Sequence, residues 1–122
     1  MEKAKIDFLK TTLSLYIDHT TVLAKLQQPN SEFVILDVRN APAAIKKDQI
    51  KGAIAMPAKD LGSRLSELDH RKTYVVYDWT AGTTLGKVAL LTLLSADFKA
   101  YELSCALEGW KGMHLPIEAL SI

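Results

Sequence analysis

The sequence predicts an α/β protein built on a parallel sheet. Three observations lead there. "FVILDV" (33–38) and "TYVVYD" (73–78) are short runs apolar on both faces, as buried central strands of such a sheet are. Segments of helical period alternate with these runs. Pro, Gly and Asn punctuate the joints, as at Pro29-Asn30 and Pro57.

In chain order, helical periodicity runs from about Ala4 to Leu13, with Ile6, Leu9 and Leu13 on one side. "SLYI" (14–17) reads as a short strand. Asp18 or Thr20 caps a helix through "TVLAKLQQ" (21–28), which Pro29-Asn30 ends. After the 33–38 strand, "NAPAAIKKDQI" (40–50) reads as a loop with a short helical turn. "GAIAMP" (52–57) is a second short strand, halted by Pro57. "AKDLGSRLSEL" (58–68) reads as one helix with Leu61, Leu65 and Leu68 inward. The 73–78 strand leads to a helix over "TTLGKVALLTLLSAD" (83–97), which Thr83 or Thr84 can cap. "KAYELS" (99–104) is the last central strand, and "ALEGWKGM" (106–113) closes the chain as a turn or short helix, with Leu107 and Trp110 inward.

The chain has 122 residues, enough for one domain with a core of its own. We divide it into an N-terminal helical extension, 1–14, and a main domain, 15–122. A net charge of +1 gives no pull toward nucleic acid or an anionic membrane. The basic pairs Lys46-Lys47 and Arg71-Lys72 are short enough to be solvated edges. The single cysteine, Cys105, excludes an internal disulfide and a paired-cysteine zinc site. His19, His70 and His114 are scattered, so no metal is expected, and no cofactor motif is present. "VALLTLL" is too short to span a bilayer, and "MEKAKIDFLK" lacks the apolar core of a signal peptide. A cytoplasmic location is the default expectation.

In parallel sheets ligands bind beyond the carboxyl ends of the strands. The ends of "FVILDVR", "YVVYD" and "AYELSC" converge there. They nominate Asp37, Arg39, Asp78 with its loop, and Ser104-Cys105. The loop "DWTAGTT" (Asp78, Trp79, Thr80, Ala81, Gly82, Thr83, Thr84) enters a helix N-terminus, whose N–H groups and dipole favour an anion. Asp78 can accept those N–H groups itself and brace the loop. Its carboxylate can instead recognise a cation or activate water, although no partner acid or metal cluster supports that role. Trp79 is either a cover for the core or a contact surface. Asp37 and Arg39 are expected to form a structural ion pair. "GTTLGKV" is not a phosphate loop: its glycines are too close, and Val88 follows Lys87 where a metal-binding hydroxyl is needed.

Taken together, these segments resemble the single-domain rhodanese-like proteins, from about Tyr16 to Glu118. "VILDVRNAPAAIKKDQIKGAIAMP" is similar to that family's first signature, an Asp-x-Arg strand end followed by a Gly-Ala-x-x-x-Pro turn. "YVVYD" with its loop and helix is similar to the active-site segment, and "AYELSCALEGWKGMHLPIE" to the closing one. The resemblance implies a three-layer sandwich, a five-stranded parallel sheet flanked by helices. It also implies a sulfurtransferase site in which a loop cysteine carries a persulfide. By the resemblance, Asp78 stands at that cysteine's position. Thr83 stands where active members often have an arginine, and Gln49 where a histidine precedes the Gly-Ala turn. Phosphatases of related fold need a loop cysteine and arginine as well.

A noncatalytic binding or regulatory module therefore heads the expectations, with a protein partner at the Trp79–Thr80–Gly82 face and no nucleic acid or membrane. The alternative is a sulfurtransferase or persulfide carrier using Cys105 as a displaced nucleophile on the same rim. A third reading makes the domain an oligomerisation unit through the 6–13 stripe. A monomer or weak homodimer is expected.

Overall fold

The computed structural model describes residues 2–121. The two apolar runs take the middle of the sheet. β2 (Phe33–Asp37) and β5 (Thr73–Tyr77) pair in parallel, Phe33 opposite Thr73 and Asp37 opposite Tyr77. β6 (Lys99–Leu103) lies beyond β5, β1 (Tyr16–Ile17) beyond β6, and β4 (Ile54–Ala55) on the far side of β2. The resulting order, β1-β6-β5-β2-β4, is a five-stranded sheet with every pairing parallel.

Helices cover both faces. Alternation along each strand sends successive side chains to opposite sides. Leu36, Tyr74 and Val76 meet Ala89, Leu90 and Leu93 of α5 (Leu85–Ser95) and Leu61 of α4 (Ala58–Leu61). Leu15, the last residue of α1 (Lys3–Leu15), packs on this same cluster. Ile35, Val75, Tyr77 and Leu103 meet Val22 of α2 (His19–Leu26) and Leu107 and Trp110 of α6 (Ala106–Gly112). Fully burying each Val or Leu is worth about 1.5–3 kcal/mol, so these two clusters carry the fold. Asp18 caps α2, its carboxylate accepting the Thr21 N–H at 3.2 Å.

Several local expectations are corrected. Ser14 and Leu15 belong to α1, which leaves only Tyr16 and Ile17 as strand. The 40–50 segment is more than a loop and a turn. It holds α3 (Ala43–Lys46) and β3 (Asp48–Ile50), and β3 pairs antiparallel with β7 (Ile117–Ala119), a strand not anticipated from sequence. The helix expected over 58–68 stops after Leu61. A turn at Gly62-Ser63 follows, then one 3-10 turn (Leu65–Glu67), and Leu65 and Leu68 still pack inward. The 52–57 strand shrinks to Ile54–Ala55. Gly52, at φ +83, makes the turn before it, a conformation that costs a residue without Cβ nothing.

Candidate functional site

The site grows from the end of β5. Asp78 follows that strand directly and is completely buried. One carboxylate oxygen accepts the Trp79 N–H at 2.7 Å, and the other accepts the Gly86 N–H at 3.1 Å. Asp78 thus caps α5 from eight residues upstream, at the end where the helix dipole favours negative charge. This corrects the expected cap. Thr84 sits at the cap position without a side-chain hydrogen bond, and the Thr83 hydroxyl donates within the loop to the Thr80 carbonyl at 2.8 Å. The Asp78 and Trp79 carbonyls accept the N–H groups of Leu107 and Glu108, each at 3.0 Å, which ties the loop to α6. Ala81, Gly82 and Thr84 form its exposed tip.

Trp79 is half-buried on the core cluster of α2 and α6, and the Arg39 guanidinium lies 4.4 Å from its ring centroid. Asp37 and Arg39, expected on the rim, are both fully buried beneath it. Arg39 donates to Asp37 through Nε at 2.9 Å and Nη2 at 2.6 Å, and Nη2 also reaches the Asp48 carbonyl at 2.7 Å. The Tyr77 hydroxyl donates to Asp37 at 2.7 Å and accepts the Ile50 N–H at 3.1 Å. Burial beside the Asp37 carboxylate pushes the Tyr77 phenol far above its ordinary value, so it stays a neutral hydroxyl. The whole group joins β2, β5 and β3 under the loop. Its partners bind one another rather than the surface.

Glu102 was missed from sequence. It is nearly fully buried in β6, and a Cβ on Gly86 would collide with its carboxylate. Lys87 donates to Glu102 and to the Ala81 carbonyl, each at 3.4 Å. Burial pushes the Glu102 carboxyl up, against the pull of Lys87, and Asp78 adds to the rise. The available signal was a lone acid inside the apolar run "AYEL".

Cys105 lies at the start of α6, half-buried, its thiol 3.4 Å from the Ala106 carbonyl. Burial pushes that thiol up, which keeps it protonated and weakly nucleophilic at neutral pH. Gln49 donates to the Ala53 carbonyl and to Glu118, each at 2.8 Å, and so fastens β3 to the closing segment. Residues 78–84 include no basic side chain; of the cations that reach the loop, Arg39 lies against the Trp79 ring and pairs with Asp37, and Lys87 is shared between the Ala81 carbonyl and Glu102. An incoming anion would meet a carboxylate at the helix N-terminus. Among the described residues no cluster of His, Cys, Asp or Glu is arranged to hold a metal ion, and no helix is long and apolar enough to cross a membrane.

A loop between the end of a central parallel strand and a helix N-terminus, closed by a helix carrying a buried Trp, is matched by the family model for the rhodanese-like domain over residues 18–113. The chain belongs to the rhodanese-like family. The matched stretch falls slightly inside the 16–118 span of the resemblance and leaves out all of α1 and β1. Among solved structures, a full-length protein from Lactobacillus plantarum is 71% identical, with 98% of this chain and 100% of that chain covered at a TM-score of 0.95. The rhodanese-like domain of an Anabaena protein is 30% identical over 87% of this chain and 80% of that chain, TM-score 0.73. A Bacillus halodurans protein, 22% identical over 96% and 85% of the two chains, shares the fold at a TM-score of 0.81. No match was found among curated proteins.

Proposed function

We propose that this chain is a noncatalytic rhodanese-like module that binds a protein partner through the exposed tip of the 78–84 loop. In this reading Asp78 stands where sulfurtransferases of the family carry the persulfide-forming cysteine. One observation carries it: the Asp78 carboxylate accepts the Trp79 and Gly86 N–H groups. Those donors would otherwise face a bound anion or a developing negative charge. A carboxylate cannot take up sulfane sulfur as a thiolate does. Residues 78–84 carry no basic residue, and the two cations that reach the loop, Arg39 and Lys87, are paired with Asp37 and Glu102, which leaves thiosulfate or phosphate no free counter-charge there. Cys105 supplies no substitute, because its thiol is held protonated by burial. The exposed tip, flanked by half-buried Trp79 and Thr80, suits contact with a protein surface.

Thiocyanate formation from thiosulfate and cyanide tests the reading, with the wild type beside Asp78→Cys. Neither is expected to turn over above a no-protein control, since the single replacement restores a thiol without a basic partner. Turnover by the wild type would overturn the proposal. Chemical cross-linking of the folded chain in cell extract tests the partner, with Gly82→Arg as the loop variant. Gly82 has only the Thr80 hydroxyl, at 3.9 Å, near an added Cβ, so the fold should accept the change. Cross-linked species that persist unchanged in Gly82→Arg would place the partner elsewhere.

A further inference from the structure

We propose that the recess between α1 and α5 is a binding site for a small amphiphile with an uncharged hydroxyl head and one alkyl chain of medium length. α1 has no buried residue along its 13 positions. Its last residue, Leu15, packs on the core cluster. A cavity of about 350 Å³ remains between the two helices, within the about 300–1,000 Å³ of small-molecule sites. Phe8 and Leu15 of α1 line it, as do Leu90, Leu91 and Leu94 of α5. Thr12 lines it too, but its hydroxyl is already used, donating to the Phe8 carbonyl at 2.8 Å. Phe8, Leu91 and Leu94 are 68%, 66% and 41% exposed and share this one recess. An alkyl chain lying in it takes apolar surface of all three from water.

The polar groups of the recess select the head. Lys87 and Glu102 line it together with Tyr16. Lys87 lies seven positions before Leu94 on α5, about 10 Å along the axis, so the recess has a polar end and an apolar end. The Lys87 Nζ stands 5.7 Å from the Tyr16 ring centroid. It donates to Glu102 and to the Ala81 carbonyl, each at 3.4 Å, where a full charge-assisted bond measures about 2.7–2.9 Å. Both members of the pair therefore keep hydrogen-bonding capacity. A hydroxyl set between them accepts from Lys87 and donates to Glu102, and it adds no charge to a balanced pair. A carboxylate head would meet the buried Glu102 carboxylate, and an ammonium head would meet Lys87. Each like-charge contact disfavours the charged amphiphile.

Calorimetric titration of the full chain with 1-hexanol, 1-heptanol and 1-octanol at one buffered pH tests the proposal, with octanoate and octylamine as charged counterparts. Saturable one-to-one binding is expected, tightening about fourfold with each added methylene. Octanoate and octylamine should each bind about tenfold or more weakly than octanol. Leu91→Glu places a charge in the recess at an exposed position, so it should keep the circular dichroism of the wild type and weaken octanol about tenfold or more. Phe8→Ala, also at an exposed position, removes one lining ring without adding charge and should weaken octanol as well. No saturation by octanol would overturn the proposal. Unchanged affinity in both variants would also overturn it, by placing the binding elsewhere. Octanoate or octylamine binding as tightly as octanol would overturn the uncharged head.

Discussion

Asp78 is the buried side chain that ties the start of the loop to α5, and its removal has a calculable cost. Asp78→Ala deletes a buried carboxylate that accepts two backbone N–H groups, at 2.7 and 3.1 Å. Hydrogen bonds to a charged group contribute about 1.5–3 kcal/mol each, and loss of a helix cap alone costs about 0.5–2 kcal/mol. Partial relaxation of the exposed tip lets water reach one donor, so about 3 kcal/mol is expected for the alanine variant. Asp78→Asn keeps the size and one accepting oxygen but turns an NH2 toward the other donor, and about 1.5–2 kcal/mol is expected. Urea unfolding followed by far-UV circular dichroism reads the difference. With a slope near 1.5 kcal/mol/M, the midpoint should fall by about 2 M for alanine and about 1 M for asparagine. Both variants within about 0.5 kcal/mol of wild type would refute the bracing role, because surface substitutions give changes of that size.

Other perturbations test the groups around the loop. Tyr77→Phe strips the hydroxyl linking Asp37 to the Ile50 N–H and should cost about 1–3 kcal/mol in the same urea assay. Gly86→Ala drives a Cβ into the Glu102 carboxylate and should cost about 1–3 kcal/mol. Glu102→Ala in the same chain should recover part of that loss, so the two changes should be non-additive. Glu102 titrates above its ordinary value when folded, so the folded chain holds its proton more tightly than the unfolded chain does. Its contribution to stability is therefore full below the unfolded value and is lost as pH rises through the folded one. The stability of wild type relative to Glu102→Gln should accordingly fall as pH is raised from 4 toward neutral, measured by urea midpoints at each pH; a difference independent of pH would contradict it.

What could be read from sequence followed from how local the determinants were. β2 and β5 are legible because continuous apolar runs suffice to name a buried parallel strand. β3 and β7 are three residues each, and their pairing joins Asp48 to Ala119 across most of the chain. No local period encodes such a contact. The stop in α4 was written in Gly62-Ser63, yet the leucine spacing across it continued the helical pattern. At the site, Asp37 and Arg39 lie two apart on an extended segment and so point the same way, which made their pairing legible. Their burial was not, since Tyr77 and β3 arrive from elsewhere to cover them. Asp78 was recognisable as a loop carboxylate. That it caps α5 in place of Thr83 or Thr84 depends on a contact to Gly86 across the loop. Glu102 escaped notice because its surroundings, Gly86 and Lys87, lie on α5.

The central proposal is that this rhodanese-like domain holds the Asp78 carboxylate at its loop in place of sulfur chemistry. Intact-mass spectrometry after incubation with thiosulfate or a persulfide donor, without reductant and beside Cys105→Ala, tests it most directly. The account predicts the unmodified mass for both proteins. A stable sulfur adduct on the wild type that disappears in Cys105→Ala would contradict it and assign the chemistry to Cys105.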